Sequence, residues 1–486
     1  MVKNGIIAAL ILCLFGVFLV LMPSHQTYLS FILGGASALF IILHFITTAG
    51  TRKKEAGRAA FWIPVVSLSC LFILMPAVFG AALYFWHDLT VYSWVLIVSL
   101  TFMLYYNFIT LPLAVYHKHR EINRTKEAKY YPSLTVMIPA YNEEKVISRT
   151  IESVLEATYP DKEIIIIDDG SKDRTEEIAR SYASKGVKVI RRPNGGKATA
   201  LNHGLLFARG DIIVIVDADC QICKNTLIEL VQPFSNPEVA AVAGNIKVLN
   251  RCNAITRCQA LEYITGINLY RRALDVFGSV SVVPGALGAY RREAMEGTGF
   301  YDSDTLVEDF DITMKALKTG KVVQASSAAI SYTEAPQTIG EFVKQRLRWY
   351  RGNFQALWKH HDAAFNTRYG FLQKLSFPYM VVSMTFLPLA GLASLAAAVT
   401  VLLSGHGLML LFTLLFFFLL QLMLSALAIS LDEEDQKLTP YAVFFVIGYK
   451  QLCDFVIIKS LFDVLFHRNL KWTTVRRIGS QAQSKI

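Results

Sequence analysis

EIIIIDDGSKDRT, residues 163–175, runs from four consecutive isoleucines into two aspartates, a glycine and a series of turn-forming residues. A short, continuous β-branched run bounded by turn signals is typical of a strand buried on both faces of a parallel sheet. The acidic pair then falls at the carboxyl end of that strand, where open α/β sheets bind their ligands. The stretch therefore predicts an α/β domain with an acidic site along one edge of its sheet.

The same rhythm extends from residue 130 to residue 364. Helical stretches such as EEKVISRTIESVLEA and DRTEEIARSYASK separate the apolar runs. These runs are LTVMIPA, EIIIIDDG, VKVIRRP, DIIVIVDAD and VAAVAGNIKV. The alternation predicts βαβ units on a mostly parallel, Rossmann-like sheet with covered faces.

The regions on either side of this domain are strongly apolar. The 486 residues are 53% hydrophobic and only 18% charged, which predicts membrane spans and more than one structural unit. Residues 1–118 contain four runs of about spanning length: Gly5–Met22, Tyr28–Thr48, Phe61–Trp86 and Val91–Tyr116. Residues 365–486 contain three more, at 375–405, 407–431 and 439–466. The last run carries four charges, so two crossings plus a surface or re-entrant helix are favoured over three crossings.

Basic residues indicate the orientation of these spans. AGTRKKEAGRAA (49–60) and HKHREINRTK (117–126) are rich in lysine and arginine, whereas the SHQT and HDLT connections have neither. The positive-inside rule then predicts a multi-pass plasma-membrane protein whose central domain is cytoplasmic. The net charge of +10 lies mainly in such loops and around the expected site, so no nucleic-acid partner is predicted.

Four acids follow predicted strands: Asp168 and Asp169 in DDGSKDRT, and Asp217 and Asp219 in DADC. Each could be an ordinary turn or helix-capping residue. Together at one edge they would repel each other unless a cation compensates, and carboxylate oxygens suit Mg²⁺ or Mn²⁺. The set therefore predicts a metal-diphosphate site. Cys220 and Cys223 have no second cysteine pair, so a zinc site is disfavoured.

NGGKATALNHG (194–204) and TLVEDFDIT (305–313) supply charges of both signs. Lys197 at a helix start could simply be solvated, but its position after the third strand favours anion binding. Glu308, Asp309 and Asp311 could simply favour a helix dipole, or one of them could act as a general base. The spacing fits neither the Walker loop nor GxGxxG, so ATPase and dehydrogenase activities are disfavoured.

QRLRWYRG (345–352) places three arginines beside two aromatic residues, just before the chain becomes apolar. One interpretation is a basic membrane anchor on anionic lipid. The other is an anion site, because guanidinium groups stabilise the charge of a leaving diphosphate and an indole offers a face to a sugar ring.

PAYNEE, DDGSKDRT, GGKATALN, DADC, VED and QRLRW occur in this order between about residues 130 and 360. The ordered set resembles the processive inverting glycosyltransferases of family 2, which include the synthases of poly-N-acetylglucosamine, hyaluronan, chitin and cellulose. The resemblance implies a cytoplasmic GT-A domain between N- and C-terminal transmembrane helices. AVAGNIKV, VPGALGAYRREAM and SDTLVEDFDITMKAL look most like the poly-β-1,6-N-acetylglucosamine synthases.

The resemblance also implies roles for individual residues. The UDP-sugar would be held by Pro139, Ala140, Tyr141, Glu143, Asp168, Asp169, Lys197 and Asp217. Asp217 and Asp219 would bind Mg²⁺ or Mn²⁺, and Asp309 would be the catalytic base, with Val307 where many relatives have threonine. The QxxRW positions, which would close over the donor diphosphate and the acceptor sugar, are Gln345, Arg346, Arg348 and Trp349.

These roles describe a single inverting displacement that extends a glycan, with UDP-N-acetylglucosamine favoured over UDP-glucose as donor. The expected partners are the UDP-sugar, the growing glycan acceptor and the lipid bilayer, with accessory export or membrane subunits. Two other hypotheses stay open at this point: a non-processive enzyme that makes a membrane glycolipid, and an inactive membrane scaffold or transporter subunit.

Overall fold

A computed structural model describes residues 91–123 and 130–468 of the chain. The described residues form two compact units: residues 91–119 with 386–455, and residues 120–123, 130–385 and 456–468. The second is called the catalytic unit below. The first three predicted spans and most of the basic tail lie outside the described residues.

The catalytic unit contains one eight-stranded sheet among its described residues. Its strands are Leu134–Ala140 (β1), Lys162–Asp168 (β2), Val187–Arg191 (β3), Ile212–Ile215 (β4), Cys220–Ile222 (β5), Val239–Val248 (β6), Gly288–Arg291 (β7) and Val322–Thr333 (β8). Their order across the sheet is β3-β2-β1-β4-β7-β6-β8-β5.

Helices follow most of these strands. Those before the C-terminal region are Val91–Asn123 (α1), Ile147–Glu156 (α2), Thr175–Arg180 (α3), Lys197–Leu205 (α4), Thr226–Val231 (α5), Ala254–Glu262 (α6), Leu269–Asp275 (α7), Arg292–Thr298 (α8), Glu308–Lys318 (α9) and Ile339–Lys359 (α10). The remaining helices are Phe377–Met384 (α11), Phe386–Leu403 (α12), Gly407–Leu431 (α13), Val443–Val446 (α14) and Tyr449–Leu465 (α15). A π-helical segment, Tyr263–Asn268, joins α6 to α7.

The sheet is mixed but mostly parallel, as predicted: six of its eight strands run in the same direction, and β7 and β5 run in the other. Strands β3, β2, β1 and β4 are parallel neighbours. Strand β7 is antiparallel to both of its neighbours, β4 and β6, whereas β6 and β8 are parallel. Helices α6 and α7 lie between β6 and β7 in the chain. Strand β7 then inserts between β4 and β6 and runs in the direction opposite to both.

The isoleucines of β2 are buried as their continuous apolar run predicts, and Ile165, Ile166 and Ile167 have no exposed surface. Helix α4 packs directly on this strand at Gly204. A Cβ atom at that position would lie 2.8 Å from Ile167 Cγ1, closer than side chains tolerate. The close approach packs α4 directly against β2, near the carboxyl end of that strand.

The C-terminal apolar runs are helical. Two helical stretches of the described residues are long and apolar enough to cross a membrane: Leu372–Leu403, which contains α11 and α12, and Gly407–Leu431, which is α13. Residues 436–446 and 449–465 form a pair bent by 59°, which is either a broken span or a re-entrant loop. Helix α1 covers the fourth predicted span and continues to Asn123. The number of crossings and their orientation stay predictions.

Charges in the last apolar run are paired. Lys459 Nζ lies 2.9 Å from Asp463 Oδ2 one helical turn away, and Lys450 pairs with Asp454 at the same spacing. Arg351 of α10 also pairs with Asp463. Pairing along a helix reduces the cost of charged groups in an apolar segment.

Candidate active site

The carboxyl ends of β1 and β2 meet in register, with Ala140 opposite Asp168. The Asp169 N–H donates to the Ala140 carbonyl at 2.9 Å. Pro139 and Ala140 end β1, and Tyr141 and Glu143 follow it in the same loop.

This loop is fastened to the residues after β2. Asn142 adopts a left-handed conformation with φ 56°, and its N–H donates to Ser171 Oγ at 3.0 Å. The Glu143 N–H donates to Thr175 Oγ1 at 2.8 Å. PAYNEE and DDGSKDRT, the first two motifs expected to bind the UDP-sugar, are therefore hydrogen-bonded to each other.

The two acids that end β2 have different surroundings. Asp169 accepts hydrogen bonds from the N–H groups of Gly195 and Gly196, the shorter being 2.8 Å, and from Arg192 Nη1 at 2.7 Å. Gly196 has φ 88°, a conformation that side chains disfavour, and it precedes α4 directly. Asp169 therefore shapes the loop that presents Lys197. The Asp168 side chain is fully buried and accepts from the Ser171 N–H at 3.3 Å.

Lys197 is the centre of a charged cluster formed by three parts of the chain. Its Nζ lies 2.6 Å from Asp217 Oδ1 and 2.9 Å from Glu308 Oε1. Burial lowers the pKa of Lys197, but the carboxylates of Asp217, Glu308 and Asp309 outweigh it and hold the pKa well above its ordinary value. These carboxylates therefore favour the charged form of Lys197 in this cluster.

Asp309 lies in the first turn of α9, with its carboxylate fixed by two backbone donors. The Gly285 N–H donates to Oδ2 at 3.0 Å and the Phe310 N–H donates to Oδ1 at 2.8 Å. Burial and the adjacent Glu308 raise the pKa of Asp309, while Lys197 and the two N–H groups oppose the rise. A carboxylate with a raised pKa is suited to accept a proton near neutral pH.

Gly285 is a residue that the sequence did not single out. A Cβ atom at Gly285 would collide with Lys197 Nζ and lie 3.6 Å from Asp217 Oδ1. Glycine therefore lets the loop before β7 close over the cluster while its N–H reaches Asp309.

We expect Gly285→Ala to leave the protein folded, because the group that must move is the end of a flexible lysine side chain. Displacing Lys197 should lower turnover by about tenfold or more, as small misplacements do in active sites. Gly297→Ala is the matched control, since a Cβ there meets nothing within 4 Å. Thermal unfolding and steady-state rates of both variants check this. Equal rates for the two variants would contradict a role for the Lys197 position.

Asp217 and Asp219 follow β4 in a tight turn, in which the Cys220 N–H donates to the Asp217 carbonyl at 3.0 Å. Asp219 is buried and accepts from Thr333 Oγ1 at 3.4 Å, whereas Asp217 is partly exposed beside Lys197. Two carboxylates at a sheet edge form an oxygen donor set that fits Mg²⁺ or Mn²⁺.

A second group of three acids lies elsewhere in the catalytic unit. Asp302, Asp304 and Asp311 bring carboxylate oxygens within 4.8 Å of one another. Lys359 Nζ lies 2.6–2.9 Å from one oxygen of each. The ammonium group already supplies the cation, so this cluster joins α9 to the end of α10 as an ion-pair network.

The QxxRW motif lies near the middle of α10, which begins after Thr338, whose side chain accepts from the Glu341 N–H at 3.3 Å. Gln345 and Arg346 are buried, and Arg348 and Trp349 are partly buried. Arg346 lies next to the end of α6 and the Tyr263–Asn268 segment, since its guanidinium contacts Glu262 and the Tyr263 ring.

Arg271 of α7 is another buried cation near Asp309 that the sequence did not indicate. Its Nη1 donates to the Gly244 carbonyl at 3.3 Å. Burial lowers the pKa of Arg271 to about 10, and the negative charge of Asp309 opposes this change. No periodic pattern distinguishes this arginine from others in the sequence.

Comparison with protein families identifies this domain. Residues 135–299 match the family model for glycosyl transferase family 2. The chain carries a family 2 glycosyltransferase domain. The match confirms the family 2 domain that the ordered motifs predict, and residues 135–299 contain every candidate residue from Pro139 to Asp219.

Two curated relatives of this family 2 domain come from staphylococci. A protein of Staphylococcus epidermidis named poly-beta-1,6-N-acetyl-D-glucosamine synthase is 31% identical over 224 residues, or 45% of this chain and 54% of the relative. A protein of the same name from Staphylococcus aureus is 29% identical over 222 residues, with the same coverage of both chains. The chain thus spans about half the length of the curated relatives that it matches.

A solved structure shows the fold of the family 2 domain. A mannosyltransferase of Pyrobaculum calidifontis, in complex with GDP-mannose and Mn²⁺, superposes with a TM-score of 0.54 at 19% sequence identity. The alignment covers 77% of this chain and all of the mannosyltransferase. This structural similarity confirms the predicted GT-A fold.

Proposed function

We propose that the protein is a membrane-embedded, processive β-glycosyltransferase that polymerises N-acetylglucosamine from UDP-N-acetylglucosamine into an exported polysaccharide. The observation that carries the proposal is the cluster in which Lys197 joins Asp217 and Glu308 beside Asp309. It combines a fixed cation for a diphosphate with a base for the acceptor hydroxyl. The names of the relatives support the choice of sugar.

In this proposal, the donor lies along the carboxyl ends of β1 and β2. Asp168 and the loop from Pro139 to Glu143 hold the uridine, and Asp169 keeps the Lys197 loop in place. Lys197 and Arg348 contribute positive charge toward the diphosphate. Fixed cations stabilise a developing negative charge without reorganising during the reaction.

Asp217 and Asp219 would hold Mg²⁺ or Mn²⁺ through their carboxylate oxygens. When bound, the ion would neutralise part of the charge of the leaving diphosphate. The mannosyltransferase with a similar fold was solved with Mn²⁺, which supports the use of a divalent ion.

Asp309 would accept the proton of the acceptor hydroxyl as that oxygen attacks the anomeric carbon. Its carboxylate is oriented by Gly285 and Phe310, so little rearrangement is needed. A single displacement inverts the configuration from an α-linked donor to a β-linked product. Because the diphosphate leaves without needing a proton, one carboxylate is sufficient, unlike in glycoside hydrolases.

The membrane helices give the polymer a route outward. Basic residues at 49–60 and 117–126 support a cytoplasmic catalytic unit, where sugar nucleotides occur. The two long apolar helices of the described C-terminal region support membrane insertion. We infer that the growing chain leaves through a path formed by the protein's own helices.

Donor choice is tested by UDP release from purified protein in lipid nanodiscs, with UDP-N-acetylglucosamine and UDP-glucose in parallel and with Mg²⁺ or Mn²⁺. The proposal predicts metal-dependent release that is faster from the amino sugar. Faster release from UDP-glucose would reassign the substrate, and no release from any UDP-sugar would overturn the function.

The pH dependence of this reaction follows from the raised pKa of Asp309. A base works only when ionised, so turnover is lost as pH falls through its pKa, at higher pH than for an ordinary carboxylate. Glu308→Gln removes the neighbouring anion, which lowers the pKa of Asp309 and moves the acid limb of the turnover profile to lower pH. Exposed Glu293→Gln serves as control. A limb that stays in place or moves upward in Glu308→Gln would show that Asp309 is not the titrating base.

A further inference from the structure

The Arg346 side chain is enclosed by protein on every side and has no exposed surface. Its Nη2 lies 2.5 Å from Glu262 Oε2, and its Nη1 donates to Gln345 Oε1 at 3.2 Å. A diphosphate could reach this guanidinium only if its enclosing contacts, including the part-buried ion pair with Glu262, gave way, and losing a partner of a buried charge is costly. The geometry therefore disfavours the substrate-contacting role that the QxxRW resemblance implies for Arg346.

Aromatic rings surround the same guanidinium. Its central carbon lies 4.2 Å from the Trp349 ring centroid, 4.9 Å from that of Phe342 and 5.9 Å from that of Tyr263. Arginine stacks on aromatic faces through its flat, delocalised cation, most favourably on indole. Trp349 is therefore held on one side by a cation that is itself fixed by Glu262.

The helix changes its backbone geometry directly after Glu262. Glu262 is the last residue of α6, and the π-helical segment Tyr263–Asn268 begins directly after it. π-Helical turns occur often at functional sites, where they redirect side chains. Here the turn brings Tyr263 to 6.5 Å from Trp349, with the rings tilted by 40°.

We propose that Arg346 and Glu262 are positioning residues that hold the Trp349 indole as a platform for the acceptor sugar. Arg348, the arginine that the QxxRW pattern itself fixes, keeps the diphosphate role given to it in the proposed function. The inference rests on the proposed function, because it assumes that Trp349 contacts the acceptor. A fixed ring plane matters because a pyranose stacks on an aromatic face in one orientation.

The test separates acceptor binding from donor binding in the full chain in nanodiscs. For Arg346→Met we expect the KM for a short β-linked N-acetylglucosamine oligosaccharide to rise about tenfold. The donor KM and acceptor-independent UDP release should stay within about twofold of wild type, since the diphosphate contacts are intact. Arg346→Lys keeps the ion pair but loses the flat guanidinium, so it should recover part of the acceptor affinity. Trp349→Phe should likewise raise the KM for the acceptor and leave the KM for the donor nearly unchanged.

A double-mutant cycle provides a second readout. If Glu262 acts through Arg346, Glu262→Gln with Arg346→Met should be no worse than Arg346→Met alone. A large rise in donor KM with unchanged acceptor KM in Arg346→Met or Arg346→Lys would overturn the inference, because Arg346 would then contact the diphosphate. Fully additive effects in the cycle would also overturn it. A wild-type protein that releases no UDP would instead overturn the proposed function on which the inference rests.

Discussion

Asp309→Asn should reduce glycosyl transfer by about 1,000-fold while leaving the protein folded, because general-base catalysis contributes factors of this size. The asparagine oxygen can still accept one of the backbone hydrogen bonds, from Gly285 or Phe310. It cannot take the proton of the acceptor hydroxyl. The measurement is UDP release at saturating donor and acceptor, together with donor affinity by calorimetry.

Asp161→Asn is the matched control for this variant. Asp161 is exposed and precedes β2, at the opposite end of the strand from Asp168. The control should retain wild-type turnover, and Asp309→Asn should bind the donor with nearly wild-type affinity. More than about one tenth of wild-type turnover in Asp309→Asn would assign the base to another group.

Asp217→Asn should lower turnover by about 100-fold or more and raise the Mn²⁺ concentration needed for half-maximal rate. The variant loses both a proposed metal ligand and the partner that lies 2.6 Å from Lys197. Metal titrations of the steady-state rate measure the effect, with Mg²⁺ and Mn²⁺ tested separately.

The control here comes from the other acidic cluster. Asp304 belongs to the three-carboxylate group that contains Lys359. Asp304→Asn should leave the metal requirement unchanged, since an ammonium group occupies that cluster. If the metal requirement changed in Asp304→Asn and stayed normal in Asp217→Asn, the metal would bind at the cluster that contains Asp304. Our assignment of the metal to Asp217 would then be wrong.

The parts of the fold that could be predicted depend on local patterns. The run EIIIIDDG specifies both a buried strand and the acids at its end, since a continuous β-branched segment and a turn are encoded within eight residues. The register between β1 and β2 then brings Ala140 and Asp168 together. The sequence had no comparable signal for β7, whose four residues pair on both sides in the antiparallel sense.

A site residue could be predicted where its residue type indicates its chemistry. It could not be predicted where its role depends on a partner that is distant in the chain. Lys197, Asp217 and Asp309 were singled out, but the glycine that permits their approach was not. The pair of Arg346 with Glu262 joins residues 84 positions apart, next to a π-helical turn that no periodicity indicates. The QxxRW motif therefore identified helix α10 as part of the site. Only the structure shows that Gln345 and Arg346 are buried, whereas Arg348 and Trp349 are partly exposed.

The most direct test of the account is radiolabel transfer from UDP-N-acetylglucosamine by wild-type protein and Asp309→Asn in nanodiscs with Mn²⁺, with products separated by size. The account predicts high-molecular-weight label that forms with the wild type and is absent with Asp309→Asn. Label confined to small, lipid-extractable products would contradict processive polymerisation, and equal polymer from both proteins would contradict the assigned site.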